Sequence, residues 1–478
     1  MATLEKKYYI NVGANGTFAD SGQVHSTPKE VEDIFKFLDE KDIEKLLIYF
    51  HGGLVSEKNG MAAAELMKNN FADENSKRHI VSFVWETGPI ETVMQNLKDL
   101  KELTGKDLFE EATKFVIKLV AKKLGITDAR GSGEYLSNIT INEERRKIAP
   151  FEDLDKDIGA RGGAIIDIDD GVDVYSEFYK RLENESKLLL ASEASDKLIN
   201  LNDVNEDVGI RGGFLAVAKV VAQIAFAVLK RYWKKNHHDF YPTVMEESFR
   251  KIYLDKVGYW GWKQMKDKSS EMFQSNSGLS GDAQFAGAFF LALLDKHIKN
   301  RATAGKKFEV ELIGHSAGSI AICNLLDATG KGFSSIKYNN IFFLAPACRT
   351  DLFLEKGKST KEKGLFQKFK MFTMEESKEK KDHCIPFIYT HSLLYMVSGL
   401  FEDEIDAKIM GLHEQFKATG RYSDFDELKA LNTFITENKL VLSTDTTNDD
   451  ESMRSNSLKH GDFDNDEEYT LKSILKSI

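Results

Sequence analysis

The chain has 478 residues, 42% of them hydrophobic and 29% charged, which excludes a fibrous or disordered protein. The formal net charge of −11, with no long basic patch to offset it, argues against nucleic-acid binding. At this length we expect one main domain together with a large insertion or a second lobe.

The first part of the chain alternates between strand and helix patterns. Strands are predicted from β-rich or unbroken apolar runs at residues 6–12, 45–50 (KLLIYF) and 79–85 (HIVSFVW). A helix is predicted at residues 28–38 from its periodicity. Short continuous apolar runs are typical of parallel strands that are covered on both faces.

From about residue 90 to residue 280 the pattern is mostly helical. Helices are predicted at residues 108–124, 213–233 and 243–254. The most apolar stretch, residues 214–229, is shorter than the ~20 apolar residues that a membrane span requires, so we predict no transmembrane segment. His237, His238 and Asp239 have no partner cluster at ligand spacing, which predicts a solvated helix end and no metal site.

The alternation of strands and helices returns after residue 280. Helices are predicted at residues 286–298 and 425–436, and strands at 308–313, 340–345, 369–374 and 439–443. The chain is therefore predicted to form a mostly parallel α/β sheet from residues 1–90 and 281–478, with residues 91–280 inserted as a helical cap. Ligands of such sheets bind beyond the carboxyl ends of the strands, where the candidate site residues are found.

The cysteines and the first residues bear on the compartment. Cys323, Cys348 and Cys384 form no metal-like pair, and their odd number indicates a reducing compartment. The opening MATLEKKYYI lacks the apolar core of a signal peptide. We expect a cytoplasmic protein.

The pentapeptide GHSAG at residues 314–318 lies between a predicted strand and a predicted helix. This is the G-x-S-x-G pattern in the context of a nucleophile elbow, where a strained turn exposes the serine hydroxyl. The N-terminus of the following helix directs positive potential at developing negative charge. Ser316 is therefore the predicted nucleophile, and a Gly-rich turn that serves packing alone is the alternative.

A second motif, HGGL at residues 51–54, follows the strand at residues 45–50. An oxyanion hole needs two backbone N–H groups aimed at one point. Ala317, directly after the nucleophile, is predicted to supply one of them. The other is predicted to come from Gly53 or Leu54, where the missing side chains of the glycine pair allow close approach of the backbone.

A serine nucleophile needs a base, and the base needs an orienting carboxylate. His460 is the predicted base, because it follows the last strand on a polar loop and Gly461 allows a tight turn there. At the ordinary histidine pKa, activity would rise with pH through about 6.5. The candidate acids follow predicted strands and are, in order of preference, Glu376, Asp382 and Asp351.

The motifs HGG, GHSAG and a late His-Gly, in that chain order, resemble the α/β-hydrolase superfamily, in particular large bacterial members of poorly defined substrate. The resemblance covers roughly residues 5–90 and 280–478, and it implies acyl transfer to water as in esterases, lipases, thioesterases and peptidases. The chain departs from the lipase pattern in having HGGL where lipases have HGGG. It also has a very long insertion before the elbow strand.

These patterns together predict a serine hydrolase that cleaves a carboxylic ester through a Ser-His-acid triad, without cofactor or metal. A small-molecule or lipid-like ester is the expected substrate, since the apolar cap is predicted to cover the Ser316 pocket and to line an acyl channel through residues such as Val221 and Phe226. A serine peptidase or amidase would use the same triad, and a non-enzymatic interaction protein is the other alternative. The sequence does not determine the oligomeric state.

Overall fold

The structure is a computed structural model. It describes residues 4–20, 22–53, 55–85, 106–123, 141, 143–144, 147–148, 150–152, 155–156, 172–193, 210–251, 257–386 and 388–478. The predicted oxyanion residue Leu54 lies outside the described residues.

The chain forms two compact units. The sheet unit comprises Met1–Thr92, Trp260–Glu379 and Ala407–Ile478, and the helical unit comprises Val93–Tyr259 and Lys380–Asp406. These bounds differ from the predicted ones, because the helical unit also contains the segment from residue 380 to residue 406. Residues 260–280 belong to the sheet unit and were expected in the cap.

Seven parallel strands form the sheet. They are β1 Tyr9–Val12, β2 Lys45–Phe50, β3 Arg78–Trp85, β4 Glu309–His315, β5 Tyr338–Leu344, β6 Phe366–Met374 and β7 Lys439–Ser443. Their order across the sheet is β1-β3-β2-β4-β5-β6-β7. The predicted α/β class with a parallel sheet is confirmed.

Helices of eight or more residues connect these strands or build the helical unit. They are α1 Pro28–Glu40, α2 Glu57–Phe71, α3 Lys106–Lys123, α4 Val172–Glu193, α5 Ile210–Trp233, α6 Phe240–Phe249, α7 Val257–Glu271, α8 Ala286–Thr303, α9 Gly318–Gly332 and α10 Asp426–Thr436. Helix α1 begins where the sequence indicates, since Thr27 and Glu30 form a reciprocal capping box and Pro28 occupies the first turn.

Apolar side chains cover both faces of the sheet, as the unbroken apolar strands predict. One face packs against α2 and the C-terminal segment in a cluster that includes Tyr49, Ile313 and Phe463. On the other face Phe83 stacks on Phe50 and meets Phe290 of α8 edge to face. The carboxyl ends of the central strands are therefore held by packing on both sides.

The strand order reverses direction between β2 and β4. The chain leaves β2 toward β3 on one side, and it leaves β4 toward β5 on the other side, although β2 and β4 are hydrogen-bonded neighbours. A crevice opens at the carboxyl ends of two such strands, and ligands of open α/β sheets bind there. The HGG motif follows β2 and GHSAG ends β4, so both motifs come to this point.

The helical unit is built around α5, which packs against α3, α4 and α6. Val221 of α5 is fully buried, and Phe226 contacts Phe178, Tyr179 and Trp233 of the same unit. The apolar face of α5 thus finds partners within its own unit, which sequence reasoning did not consider. Among the described helices, none combines the length and the apolar character that crossing a membrane requires.

Candidate active site

Ser316 lies on a sharp turn between β4 and α9 with a positive φ of 51°. This left-handed conformation is strained for a residue with a Cβ, at a cost of about 1–3 kcal/mol, and it persists only where the surroundings enforce it. The backbone N–H of Ser316 donates to the carbonyl of Leu344 at 2.8 Å, and its carbonyl accepts from the N–H of Ala347 at 3.0 Å. The end of β5 therefore fixes the turn.

Glycine is required two residues after the serine. A Cβ at Gly318 would lie 2.1 Å from the carbonyl oxygen of Phe50, which is far inside contact distance. Helix α9 consequently starts directly against the end of β2, with its N-terminus at Ser316. The positive end of the helix dipole thereby lies next to Ser316 in the chain.

The predicted oxyanion residues Ala317 and Gly53 lie against each other. A Cβ at Gly53 would be 3.1 Å from the Cβ of Ala317 and 2.8 Å from Sδ of Met265. Within the described part of the chain, neither backbone N–H donates a hydrogen bond to another group. Two amide donors therefore lie close to Ser316 with their hydrogen-bonding capacity unused.

His51 holds the HGG loop in place. Its Nδ1 lies 2.7 Å from the carbonyl oxygen of Gly52, and its Nε2 accepts from the backbone N–H of Trp85 at 3.1 Å. Nε2 must be unprotonated to accept, so Nδ1 carries the hydrogen and donates it to Gly52. Burial lowers the pKa of His51 to about 4, which keeps this neutral tautomer.

Ser316 and His460 are in direct contact. Nε2 of His460 lies 2.9 Å from Oγ of Ser316, and both residues are buried. His460 occupies a short turn after β7, where the carboxylate of Asp462 accepts the backbone N–H groups of Leu458 and Lys459 and fixes the loop. The structure thus brings together the residues that the sequence predicts as nucleophile and base.

The protonation of His460 suits a base. Burial lowers its pKa, and the neighbouring His315 lowers it further to about 3, against a smaller opposite effect of Asp464. The ring is therefore neutral at ordinary pH. With Nε2 accepting from the Ser316 hydroxyl, the ring hydrogen is on Nδ1.

The carboxylate that the structure places beside the predicted nucleophile and base is Asp464. Its Oδ2 accepts from the Tyr49 hydroxyl at 2.6 Å and lies 3.0 Å from Nδ1 of His315. Burial alone would raise the pKa of Asp464, but the charge and contact of His315 and the Tyr49 hydrogen bond bring it below its usual value. Asp464 is thus a half-buried, ionised carboxylate four residues after His460.

The three predicted acids have other surroundings. Glu376 starts a short helix after β6, and its backbone N–H donates to Nδ1 of His413 at 3.3 Å. Asp351 is exposed and forms an ion pair with Arg349, whose Nη2 lies 2.8 Å from Oδ2. Asp382 belongs to the helical unit. The three predicted acids follow strands, whereas Asp464 lies on the loop of His460 itself.

Three other histidines contact groups of other segments. His383 lies 2.7 Å from the carbonyl of Ile148, and His391 lies 3.2 Å from Asp239. His238 is fully buried between Glu246 and Asp406. The predicted solvated helix end is therefore wrong, because carboxylates of two other segments stabilise this ring inside the helical unit. No cluster of metal ligands occurs in the described ranges.

Sequence reasoning missed His315, Asp464 and Tyr49. His315 was considered only as the variable position of G-x-S-x-G. A signal for Asp464 was present in HGDFDND, because three aspartates follow His460 at short range. The strand register gives a second signal, since Tyr49 pairs with Ile313 and so lies on the sheet face of His315.

Comparison with protein-family models, curated proteins and solved structures finds no match. The chemistry of the site rests on its own groups. A hydroxyl on a strained turn touches a neutral imidazole, and two backbone amides and a helix N-terminus lie close to this turn. Such an arrangement can deprotonate a hydroxyl and stabilise a developing oxyanion.

Proposed function

We propose that the chain is a serine hydrolase of the α/β-hydrolase type, and that it cleaves carboxylic esters. The observation that carries the proposal is the 2.9 Å contact between Oγ of Ser316 and Nε2 of His460. It occurs on a positive-φ turn at the point where the strand order reverses. A serine and a histidine that met by chance would not also have the elbow and the amide donors.

In the first half of the reaction, Ser316 Oγ attacks the ester carbonyl carbon while His460 Nε2 takes the hydroxyl proton. The carbonyl oxygen becomes an oxyanion that accepts from the N–H groups of Ala317 and Gly53. The C–O bond to the alcohol then breaks, and His460 returns its proton to the leaving alkoxide. An acyl-serine and a free alcohol result.

In the second half, His460 takes a proton from water, and the hydroxide formed attacks the acyl-serine carbonyl. The same two amides hold the oxyanion. Collapse releases the carboxylic acid, and Ser316 regains its proton from His460. These steps use side chains and backbone amides alone, and they draw on no cofactor.

Asp464 takes the acidic role in this proposal, in place of Glu376, Asp382 and Asp351. It is half-buried and ionised beside His315, and its charge favours the imidazolium that forms on His460 in each half-reaction. The loop that carries the base therefore also carries the carboxylate. This arrangement needs no acid from the end of β5 or β6.

The preference for esters follows from the surroundings of the oxyanion loop. Trp262 and Met265 of α7, both almost fully buried, lie against Gly53. Apolar walls next to the reacting carbonyl favour an acyl or lipid-like group over a sugar or nucleotide. The helical unit as a cap over this site, and a cytoplasmic location, remain predictions from the sequence.

The test is turnover of p-nitrophenyl esters of increasing chain length, set against peptide and amide substrates, with the purified chain. We expect ester hydrolysis and covalent labelling of Ser316 by a fluorophosphonate, located by mass spectrometry. Faster cleavage of peptides would identify a peptidase with the same groups. Absence of both labelling and turnover would favour the non-enzymatic alternative.

A further inference from the structure

His315, the residue directly before Ser316, has a carbonyl acceptor at one ring nitrogen and a carboxylate at ion-pair distance from the other. Its Nε2 lies 3.0 Å from the backbone carbonyl oxygen of His460, and its Nδ1 lies 3.0 Å from Oδ2 of Asp464. A carbonyl oxygen can only accept, so Nε2 carries a hydrogen, and the carboxylate favours a hydrogen on Nδ1 as well. The ring therefore has the contacts of an imidazolium.

We propose that His315 is a positioning residue of this site, whose imidazolium joins the Asp464 carboxylate to the main chain of His460 and so holds the base against Ser316. This inference rests on the proposed function for its catalytic part. The charge state of the His315 ring is inferred from its two contacts and does not depend on that function.

The pKa shifts of the two neighbouring histidines have opposite directions, although both residues are buried. For His315 burial lowers the pKa, but Asp464 and the His460 carbonyl raise it more, so the net shift is upward. For His460 burial and the His315 charge act in the same direction, downward. The ring centroids are 5.5 Å apart, close enough for one charge to oppose a second.

Asp464 offsets the unfavourable effect that the positive charge of His315 would have on His460. An unpaired buried cation beside His460 would disfavour the imidazolium that catalysis requires. Oδ2 of Asp464 faces His315 and also accepts from Tyr49, whose ring lies in the core of the sheet. The pair is close to neutral overall. The main effect of His315 on the site is then the hydrogen bond that it donates to the backbone carbonyl of His460.

Several described groups of the sheet unit act on His460. Ser316 contacts its Nε2, His315 binds its carbonyl, and Asp464 acts through its charge. Tyr49 and His51 affect it indirectly, through Asp464. Replacing His315 with glutamine keeps a neutral amide donor for the carbonyl and removes the charge, which makes it the informative substitution.

The experiment is nitrogen NMR of the intact chain with labelled histidine, together with the pH profile of ester turnover. In the wild type we expect the His315 ring, like that of His238, to be protonated at both nitrogens at pH 7. The His315 signal should be absent from His315→Gln and should become that of a neutral ring in Asp464→Asn, while the His238 signal should remain in both variants. His315→Gln should also move the acid limb of turnover upward toward the ordinary histidine value. It should lower kcat about 10-fold to 100-fold, because the amide keeps the donor to the His460 carbonyl but loses the ion pair with Asp464 that orients this side chain.

His79→Gln is the matched control, because His79 is a buried histidine at the opposite end of the sheet that bonds the carbonyl of Lys7. It should leave the acid limb and kcat unchanged. Titration with a fluorophosphonate corrects each variant for its active fraction. A His315 ring with one proton at pH 7, or an unmoved acid limb in a fully active His315→Gln, would overturn the inference.

Failure of the proposed function has a different signature. A wild-type chain that neither turns over esters nor reacts with the fluorophosphonate would overturn the hydrolase assignment and the catalytic part of this inference. The NMR measurement would still decide the charge state of His315, since it needs no substrate.

Discussion

The two units each bury a serine beside a histidine, but only one pair has the surroundings of a nucleophile. In the sheet unit Ser316 contacts His460 at 2.9 Å from a positive-φ turn. In the helical unit Oγ of Ser398 lies 3.4 Å from Nε2 of His238, inside the helical turn Val397–Phe401. By the distance between the serine oxygen and the histidine nitrogen alone, both pairs resemble part of a catalytic triad.

The difference lies in the protonation of the two histidines. His238 lies between two carboxylates, with Nδ1 2.9 Å from Glu246 and Nε2 3.1 Å from Asp406. Burial lowers its pKa, but these carboxylates raise it more, so the ring is held as an imidazolium. His460 is held neutral instead. A base must have a free lone pair, and the imidazolium of His238 has none.

The Glu246 cluster has the character of a structural core. Glu246 accepts from Arg231, from His238 and from the Tyr389 hydroxyl, and all four residues are buried. These partners come from α5, from α6 and the turn before it, and from the segment Lys380–Asp406. A buried ion network of this kind ties segments together, whereas the Ser316 site leaves amide donors open for a ligand.

The largest expected effect separates the two serines. Ser316→Ala should lower ester turnover by about 10⁴-fold or more, because covalent catalysis depends on its hydroxyl. Ser398→Ala should keep turnover near the wild-type level, because an imidazolium cannot take the proton of its hydroxyl. The measurement is kcat/KM on p-nitrophenyl esters with the folded state checked by circular dichroism. Turnover that survives in Ser316→Ala would remove the assignment of the nucleophile.

A similar separation is expected among the histidines. His460→Ala should lower kcat by about 10³-fold to 10⁴-fold, since the serine then lacks its base. His383→Ala and His391→Ala should have much smaller effects, because their rings contact Ile148 and Asp239 of the helical unit. Fluorophosphonate labelling rates give a second readout. Equal losses in His460→Ala and His383→Ala would contradict the assignment of the base.

For the helical unit the expected effect is on stability. Glu246→Gln removes the charge that balances Arg231 and His238, and uncompensated buried charge costs about 3–5 kcal/mol. The helical unit should therefore unfold locally more often, and the rate of its cleavage by a protease measures this change. Glu362→Gln is the control, because Glu362 pairs with Lys358 at an exposed site and should change stability by less than about 1 kcal/mol. Equal resistance of both variants would mean that the cluster contributes little.

The strands of the sheet and the position of Ser316 between a strand and a helix could be predicted because both have strong local signals in the sequence. Residues 45–50 and 439–443 match their strands without correction, and the glycine after Ser316 is imposed by the carbonyl of Phe50. The signals for a strand between two turns, or for the start of a helix at a glycine, lie in consecutive residues of the sequence. Such features need no knowledge of distant contacts.

The surroundings of Asp464 and the His238 cluster were not predicted, since both depend on residues far apart in the chain. Tyr49 and Asp464 are 415 positions apart, and His238 and Asp406 are 168 apart. Periodicity and spacing carry no information on such pairs. The choice of the acid therefore relied on which carboxylates follow predicted strands. The burial of His238 could not be predicted, because its carboxylate partners are distant in the sequence.

The smallest effect, and the one that compares the two histidines directly, is the response to pH. The folded pKa of His238 is raised, so its stabilisation is fully present below the unfolded value of about 6.5 and is lost as pH rises through the folded pKa. His460, with a pKa of about 3, should stay neutral well below the pH at which an ordinary histidine gains its proton. Acid should therefore spare the base, and alkali should loosen the helical unit. Amide exchange of Phe240–Phe249, corrected for intrinsic rates, should quicken at high pH in the wild type, and fluorophosphonate labelling of Ser316 should persist below pH 6. In His238→Gln the exchange should no longer follow the titration of this ring, while labelling is unchanged. An acid limb of labelling at the ordinary histidine value would show that His460 is more solvated than its contacts indicate.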